Sequence, residues 1–225
     1  MSVTPLPFKP EAVLFDMDGL MLDSERMLTG CLAQAGEEAG HVLPHSLWLA
    51  MVGNSNEACR VMLAEHVGPM AAEALFNRAH TLYMDVVEAG VPHKPGIVAL
   101  LGWLHENAIP RAVGTTTKRP LALRKLAAAG LLPHFAAVCT SSDVAQPKPA
   151  PDIYLLAAQT LGVAPTRCVV LEDSPIGVRA ALAAGMTPIQ IPDLLVPDAP
   201  TRALGHRIVA SLTEAQALLA AALSP

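Results

Sequence analysis

Short apolar runs alternate along this chain with longer segments whose apolar residues recur at helical spacing. Ala12-Val13-Leu14-Phe15 is wholly apolar and runs directly into Asp16. A run of that length without polar alternation is the pattern of a strand covered on both faces, as in parallel sheets. Arg111–Thr115, Ala136–Thr140 and Cys168–Glu172 repeat it, and Thr187–Ile191 is a weaker fifth. The helical segments between them carry clear punctuation. Pro120 opens one that closes at Gly130, Pro151-Asp152 opens one that closes near Gly162, and Ser174-Pro175 opens one that closes at Gly185. Proline suits the first helical turn, where its missing N–H has no partner, and glycine suits the left-handed position past the end. The alternation from residue 111 to 191 predicts a parallel sheet with helical crossovers, and Leu212 to Leu223 reads as a last helix packed on it.

Residues 21–90 break that alternation. Glu25–Ala39, Asn56–Val67 and Ala71–Ala89 read as helices, and no strand is legible among them. The chain returns through Val91-Pro92-His93-Lys94-Pro95-Gly96, a proline-rich junction suited to a hinge. The expected organisation is therefore an α/β core, residues 1–20 and 91–225, with a helical module of residues 21–90 inserted after the first strand.

Composition narrows the class. With 225 residues, 52% of them apolar and 16% charged, the chain can bury a sizeable core. Its mean hydropathy of +0.40 raises the question of a membrane span. No uncharged apolar run approaches the roughly 20 residues that a span needs; the longest suspect, Ala127 to Ser142, is broken by Gly130, Pro133 and His134. No secretory signal pattern is expected at the N-terminus. Cys31, Cys59, Cys139 and Cys168 form no C-x-x-C pair and read as reduced, buried thiols. A net charge of −5 gives no basic field for nucleic acid. A cytoplasmic protein acting on a small molecule follows, monomeric by default, with neither nucleic acid nor membrane as partner.

The chemistry gathers at the ends of the expected strands, where ligands bind in open α/β sheets. In Asp16-Met17-Asp18-Gly19, one carboxylate can attack phosphorus and form an acyl phosphate, while the second shuttles the proton. Gly19 lets the backbone turn and approach a phosphate. The motif alone is also that of a solvated turn. Leu171-Glu172-Asp173-Ser174 repeats the theme. Two acidic strand ends in one site repel unless a cation lies between them. Oxygen-only ligands favour Mg²⁺, although helix capping would explain Glu172 and Asp173 as well. Thr115 and Thr116 offer hydroxyls and N–H groups to phosphate oxygens, or serve as ordinary helix caps. Lys148 lies in Gln146-Pro147-Lys148-Pro149, where flanking prolines would stiffen the loop and fix the cation. His41 and His45 have zinc-like spacing, but Pro44 argues against a helix presenting both, so they read as solvent-facing. Met17, Met21, Met27 and Met51 read as core residues.

Taken in order, these clusters resemble the four motifs of the haloacid dehalogenase superfamily: Asp16 to Gly19, Thr115, Lys148 to Tyr154, and Glu172-Asp173. The extended stretches DMDGLMLDSE (16–25) and VVLEDSPIGVRAALAAG (169–185) resemble the branch of β-phosphoglucomutase and small-sugar phosphatases. The resemblance implies a Rossmann-like core and a small all-helical cap domain inserted after the first strand. It also implies Mg²⁺ held by Asp16, the Asp18 carbonyl and Asp173, with Glu172 nearby or ligating. Asp18 argues against carbon–halogen cleavage, because the dehalogenases that named the superfamily lack this carboxylate. A histidine, an arginine and a lysine of the mutase cap fall on Leu28, Asn56 and Tyr83, and none matches. Asn54, Ser55 and Asn56, in the cap loop, are candidates for substrate contact or for helix capping.

The expectation is a Mg²⁺-dependent phosphatase of a small phosphorylated metabolite, with Asp16, Asp18, Thr115 and Lys148 catalytic and Gly19, Asn54, Ser55, Asn56 and Thr116 at the substrate. The alternatives are a phosphosugar mutase and, from another class, a non-catalytic phosphate-ligand binding protein.

Overall fold

The computed structural model describes residues 5–51 and 56–223. Its centre is a six-stranded, all-parallel sheet: β1 (Ala12–Phe15), β2 (Arg111–Thr115), β3 (Ala137–Thr140), β4 (Cys168–Glu172), β5 (Thr187–Gln190) and β6 (Arg207–Ile208). The spatial order is β3-β2-β1-β4-β5-β6. The chain leaves β1 toward β2 and β3, then crosses back to lay β4 on the other side of β1. That reversal opens a crevice at the carboxyl ends of β1 and β4.

Side-chain alternation along the strands builds two apolar layers. Val13, Phe15, Val113, Val169 and Leu171 face one side, against α5 (Ile97–Glu106), α6 (Arg119–Ala128) and α10 (Leu212–Leu223). Ala12, Leu14, Ala112, Cys168 and Val170 face the other, against α7 (Asp152–Leu161) and α8 (Pro175–Ala183). The helices begin and end where their punctuation directs. Pro120 and Pro175 sit in first turns, Ser174 Oγ accepts from the Gly177 N–H at 3.1 Å, and Gly162 closes α7 in the left-handed conformation. A four-residue helix, α9 (Ala199–Arg202), precedes β6.

Between β1 and β2 lie four helices before α5: α1 (Ser24–Glu38), α2 (His45–Met51), α3 (Asn56–Val67) and α4 (Pro69–Ala89). Their apolar faces, including Leu32, Trp48, Leu63, Leu75 and Val87, join the same buried cluster as α5 and α10. The two connections to the sheet run side by side. Leu22 and His93 form an antiparallel bridge, the Asp23 N–H donates to Pro92 O at 2.8 Å, and the Lys94 N–H donates to Met21 O at 2.8 Å.

The expected α/β fold with a helical insertion after the first strand is present. The sequence pattern missed α2, α5, α9 and β6. α5 (IVALLGWLHE) is apolar nearly throughout, so periodicity alone cannot separate it from a strand. β6 has two residues, too few to show alternation. All four cysteines are buried and free, and Met17, Met21 and Met51 are core residues. His45 is exposed at the start of α2. No helix among the described residues is long and apolar enough to cross a membrane.

Close packing of α7 on β2 depends on Gly114. A Cβ at this position would lie 2.8 Å from Tyr154 Cε1 and 3.0 Å from Ile153 Cγ2. Gly114→Ala is expected to destabilise the protein by about 1–3 kcal/mol through overpacking, read as a lower midpoint in urea unfolding.

Candidate active site

The sheet topology sets Asp16 and Glu172 at adjacent strand ends, with β1 and β4 in register from Ala12↔Cys168 to Phe15↔Leu171. One step further, the Asp16 N–H donates to Leu171 O at 3.0 Å and continues the ladder into the site. The Lys148 ammonium bridges the two ends, donating to Asp16 Oδ1 and to Glu172 Oε1, each at 2.6 Å. Its side chain is 2% exposed. The Tyr154 hydroxyl also donates to Glu172 Oε1 at 2.6 Å, and the Tyr154 ring lies 4.6 Å from the ammonium. The other Glu172 oxygen accepts from the Ser174 N–H and Oγ. Glu172 is thus saturated by protein donors, and Ser174 caps α8 while fixing it.

Asp173 completes the acidic group. One carboxylate oxygen from each of Asp16, Glu172 and Asp173 lies within 4.8 Å of the others, and these are all oxygen donors. Gly19, at φ +81°, passes so close that a Cβ would overlap the Asp173 carboxyl. Only glycine fits there, for conformation and for space. The Gln190 side chain donates to Asp173 O at 2.9 Å and anchors this loop.

Burial pushes Asp16 up to about 8; Lys148 opposes the rise, and Glu172 and Asp18 add to it. Burial, then Glu172 and Asp16, raise Asp173 well above the usual carboxylate value. Burial works against the charge on Lys148, but Asp16 and Glu172 outweigh it and raise its pKa. One ammonium among three crowded carboxylates leaves Asp16 and Asp173 short of positive charge. A hard divalent cation on their oxygens fits that deficit.

Asp18 has separate partners. Ser24 Oγ donates to Asp18 Oδ1 at 2.5 Å, Thr117 Oγ1 donates to Oδ2 at 2.6 Å, and the Lys125 ammonium donates to Oδ1. Burial alone would raise this carboxyl; Lys125 and the hydrogen bonds outweigh it and hold it below the usual value.

The structure brings Asp16, Asp18, Gly19, Lys148, Glu172 and Asp173 into one crevice. Thr115 is buried at the end of β2, two residues past the partner of Phe15, and its hydroxyl accepts from the Thr117 N–H at 3.1 Å. Thr116 is exposed beside it. Asn54 and Ser55 lie outside the described residues, and of Asn56 only the backbone, at the start of α3, is described. Sequence reasoning passed over Ser24, Thr117, Lys125 and Tyr154. For Lys125 a signal existed: with Leu121, Ala122 and Leu126 it occupies the apolar stripe of α6, where a solvated lysine does not belong.

A family model described as haloacid dehalogenase-like hydrolase matches residues 10–185. The chain belongs to this family. Over 191 residues it is 37% identical to the Probable pseudouridine-5'-phosphatase of Drosophila melanogaster, covering 80% of each protein. Over 183 residues it is 32% identical to the fructose-1-phosphate phosphatase YqaB of Escherichia coli, covering 80% of this chain and 95% of that protein. A crystal structure of a HAD family hydrolase from Deinococcus radiodurans, with bound phosphate and sodium, superposes with a TM-score of 0.81. It is 32% identical, covering 95% of this chain and 96% of that one. Within its family the chain is a phosphoric monoester hydrolase.

The loop that carries Lys148 is anchored upstream by Asp143. Its Oδ2 accepts from the Thr140 N–H at 2.8 Å, from Thr140 Oγ1 at 2.6 Å and from Arg119 Nη2 at 2.6 Å; Oδ1 accepts from Arg119 Nε at 2.9 Å. The Arg119 hydrogen bond, despite partial desolvation, brings Asp143 down to about 2 from an ordinary 3.8. Asp143→Ala is expected to cost about 1–2 kcal/mol at neutral pH, within the range for partly exposed, charge-assisted bonds. A depressed carboxyl stabilises fully above its unfolded value and loses that contribution as pH falls through its folded value. The gap between wild type and variant should therefore shrink from near pH 4 toward pH 2 in urea unfolding at a series of pH values.

Proposed function

We propose that this chain is a Mg²⁺-dependent phosphatase that forms an aspartyl-phosphate on Asp16. Its substrate is a small phosphorylated sugar, sugar alcohol or nucleoside monophosphate. The observation that carries the reading is the convergence on Asp16: one ammonium at 2.6 Å and two further carboxylates within ligand distance, all at the crevice between β1 and β4. A buried carboxylate so placed can attack phosphorus in line while Lys148 offsets charge on the phosphoryl oxygens. Thr115, Thr116 and the turn at Gly19 lie where phosphate oxygens would be received. Asp16, Asp173 and the Asp18 carbonyl would hold the cation, and Glu172, its oxygens occupied, orients Lys148. When bound, Mg²⁺ supplies the positive charge that keeps Asp16 ionised and offsets the phosphate dianion.

Asp18 then gives a proton to the leaving alcohol oxygen and takes one from the water that cleaves the acyl phosphate. The donors around it favour the carboxylate form, suited to the second half. A phosphate dianion drawn alongside raises its proton affinity, as the first half needs. Residues 21–90 act as a cap that moves on the paired connections at Leu22 and His93 and closes over substrate. Names of relatives support the substrate class, since two of them act on a pseudouridine 5'-phosphate and a fructose 1-phosphate by their names. A mutase gains no support from the cap: Leu28 is exposed, and Tyr83 is buried beside Lys125.

Phosphate release from a panel of phosphomonoesters, including fructose 1-phosphate, a hexitol phosphate and pseudouridine 5'-phosphate, should require Mg²⁺. It should fall by more than about 10³-fold in a folded Asp16→Asn variant. Release that survives that substitution would sink the mechanism, and interconversion of hexose phosphates without release would favour the mutase.

A further inference from the structure

Lys125 is a buried cation of the crevice, as Lys148 is, but it serves Asp18 and not Asp16. It projects from α6, and its residue is 3% exposed. Its ammonium donates to Asp18 Oδ1 and lies 5.4 Å from the centroid of the Tyr83 ring on α4. Burial works against its charge, yet Asp18 outweighs the loss and leaves its pKa raised. A lysine takes on such a desolvation cost only where a fixed partner offsets it.

The other ligands of Asp18 show what is being held. Thr117 comes from the loop after β2, whereas Ser24 opens α1. Asp18 Oδ1 is thus shared between a donor of the helical insertion and a donor of the sheet domain, and Tyr83 of the insertion packs against the second donor. Lys125 joins the two halves through one carboxylate oxygen. Ser24 is near Asp18 in sequence, Thr117 reaches it from the loop after β2, and each fixes one oxygen. Among the three donors, Lys125 ties the carboxyl to the far helix α6 and lies against the Tyr83 ring of α4.

We propose that Lys125 is a positioning residue for the proton shuttle: through its contact with Asp18, and against Tyr83, it sets where that carboxyl stands relative to the leaving group. It touches neither the nucleophile nor the acidic triad. The inference rests on the reading of Asp18 as the group that protonates the leaving oxygen.

Leaving-group dependence tests this role. An alkoxide must be protonated as it departs, whereas p-nitrophenolate leaves unprotonated at neutral pH. The parameter kcat/KM reports the steps up to that departure. In Lys125→Met, kcat/KM for the alkyl phosphate hydrolysed fastest in the panel should fall about 10- to 100-fold, while that for p-nitrophenyl phosphate falls under about threefold. Lys125→Arg keeps the charge but moves the donors, so it should shift the alkyl-to-aryl ratio in the same direction by less. It also provides the test if the methionine variant fails to fold by circular dichroism. An unchanged ratio, or an equal loss on both esters carried by KM, would overturn the proposal while Asp16-dependent release stands. Release that no longer depends on Asp16 would instead remove the mechanism beneath it.

Discussion

Parallel strands end side by side, and here two adjacent ones end in carboxylates, so the sheet itself creates a charge problem at Asp16 and Glu172. The Lys148 ammonium, 2.6 Å from each, is what makes that arrangement tolerable. Neither partner can be dismissed without leaving a buried charge uncompensated, a cost of several kcal/mol. The surrounding structure is organised to keep the lysine there. Tyr154 presents its ring to the ammonium and its hydroxyl to Glu172, and Gly114 is bare so that Tyr154 can reach that place. Ser174 fixes the remaining Glu172 oxygen as it caps α8. Asp143 and Arg119 clamp the start of the loop from which the lysine projects.

The helical insertion is tied to this frame by polar contacts as well as by the apolar cluster it shares with α5 and α10. Beside the paired connections, Asp193 after β5 accepts from Arg26 of α1 at 2.7 Å and from Lys94 at 2.5 Å. The Asp193 side chain is 2% exposed, so the two cations compensate a buried carboxylate at the junction. The larger apolar contacts of the insertion, between α1, α3 and α4, are internal to it.

Most of the fold was legible because burial on both faces leaves an unmistakable apolar run and proline and glycine mark the helix ends. α5 and β6 were not, the first because it is apolar all round and the second because it is too short. The core of the site was legible for a related reason. Strand ends are where the apolar run stops, so Asp16, Thr115 and Glu172 stand out, and the prolines around Lys148 mark a stiffened loop. What the sequence concealed are contacts made across distance: Lys125 reaches Asp18 over 107 positions and Thr117 reaches it over 99. The only local sign of the first was a charge on the apolar stripe of α6. Nor did spacing show that Glu172, acidic and adjacent to Asp173, would be consumed by Lys148, Tyr154 and Ser174.

Two carboxylates two residues apart thus live in opposite surroundings. Asp16 is raised to about 8 chiefly by burial, against which Lys148 pulls while Glu172 and Asp18 add to the rise. Asp18 is lowered, because an ammonium and two hydroxyls that donate to it outweigh its burial. Environments that push neighbouring groups in opposite directions are how one site assigns different tasks to identical side chains. On the proposed reading, a cation beside Asp16 would favour its charged form and a phosphate beside Asp18 its protonated form. A phosphate ester accompanied by a divalent metal would bring both at once, so the opposite surroundings of the two carboxylates bear on phosphoryl transfer more closely than either carboxylate does alone.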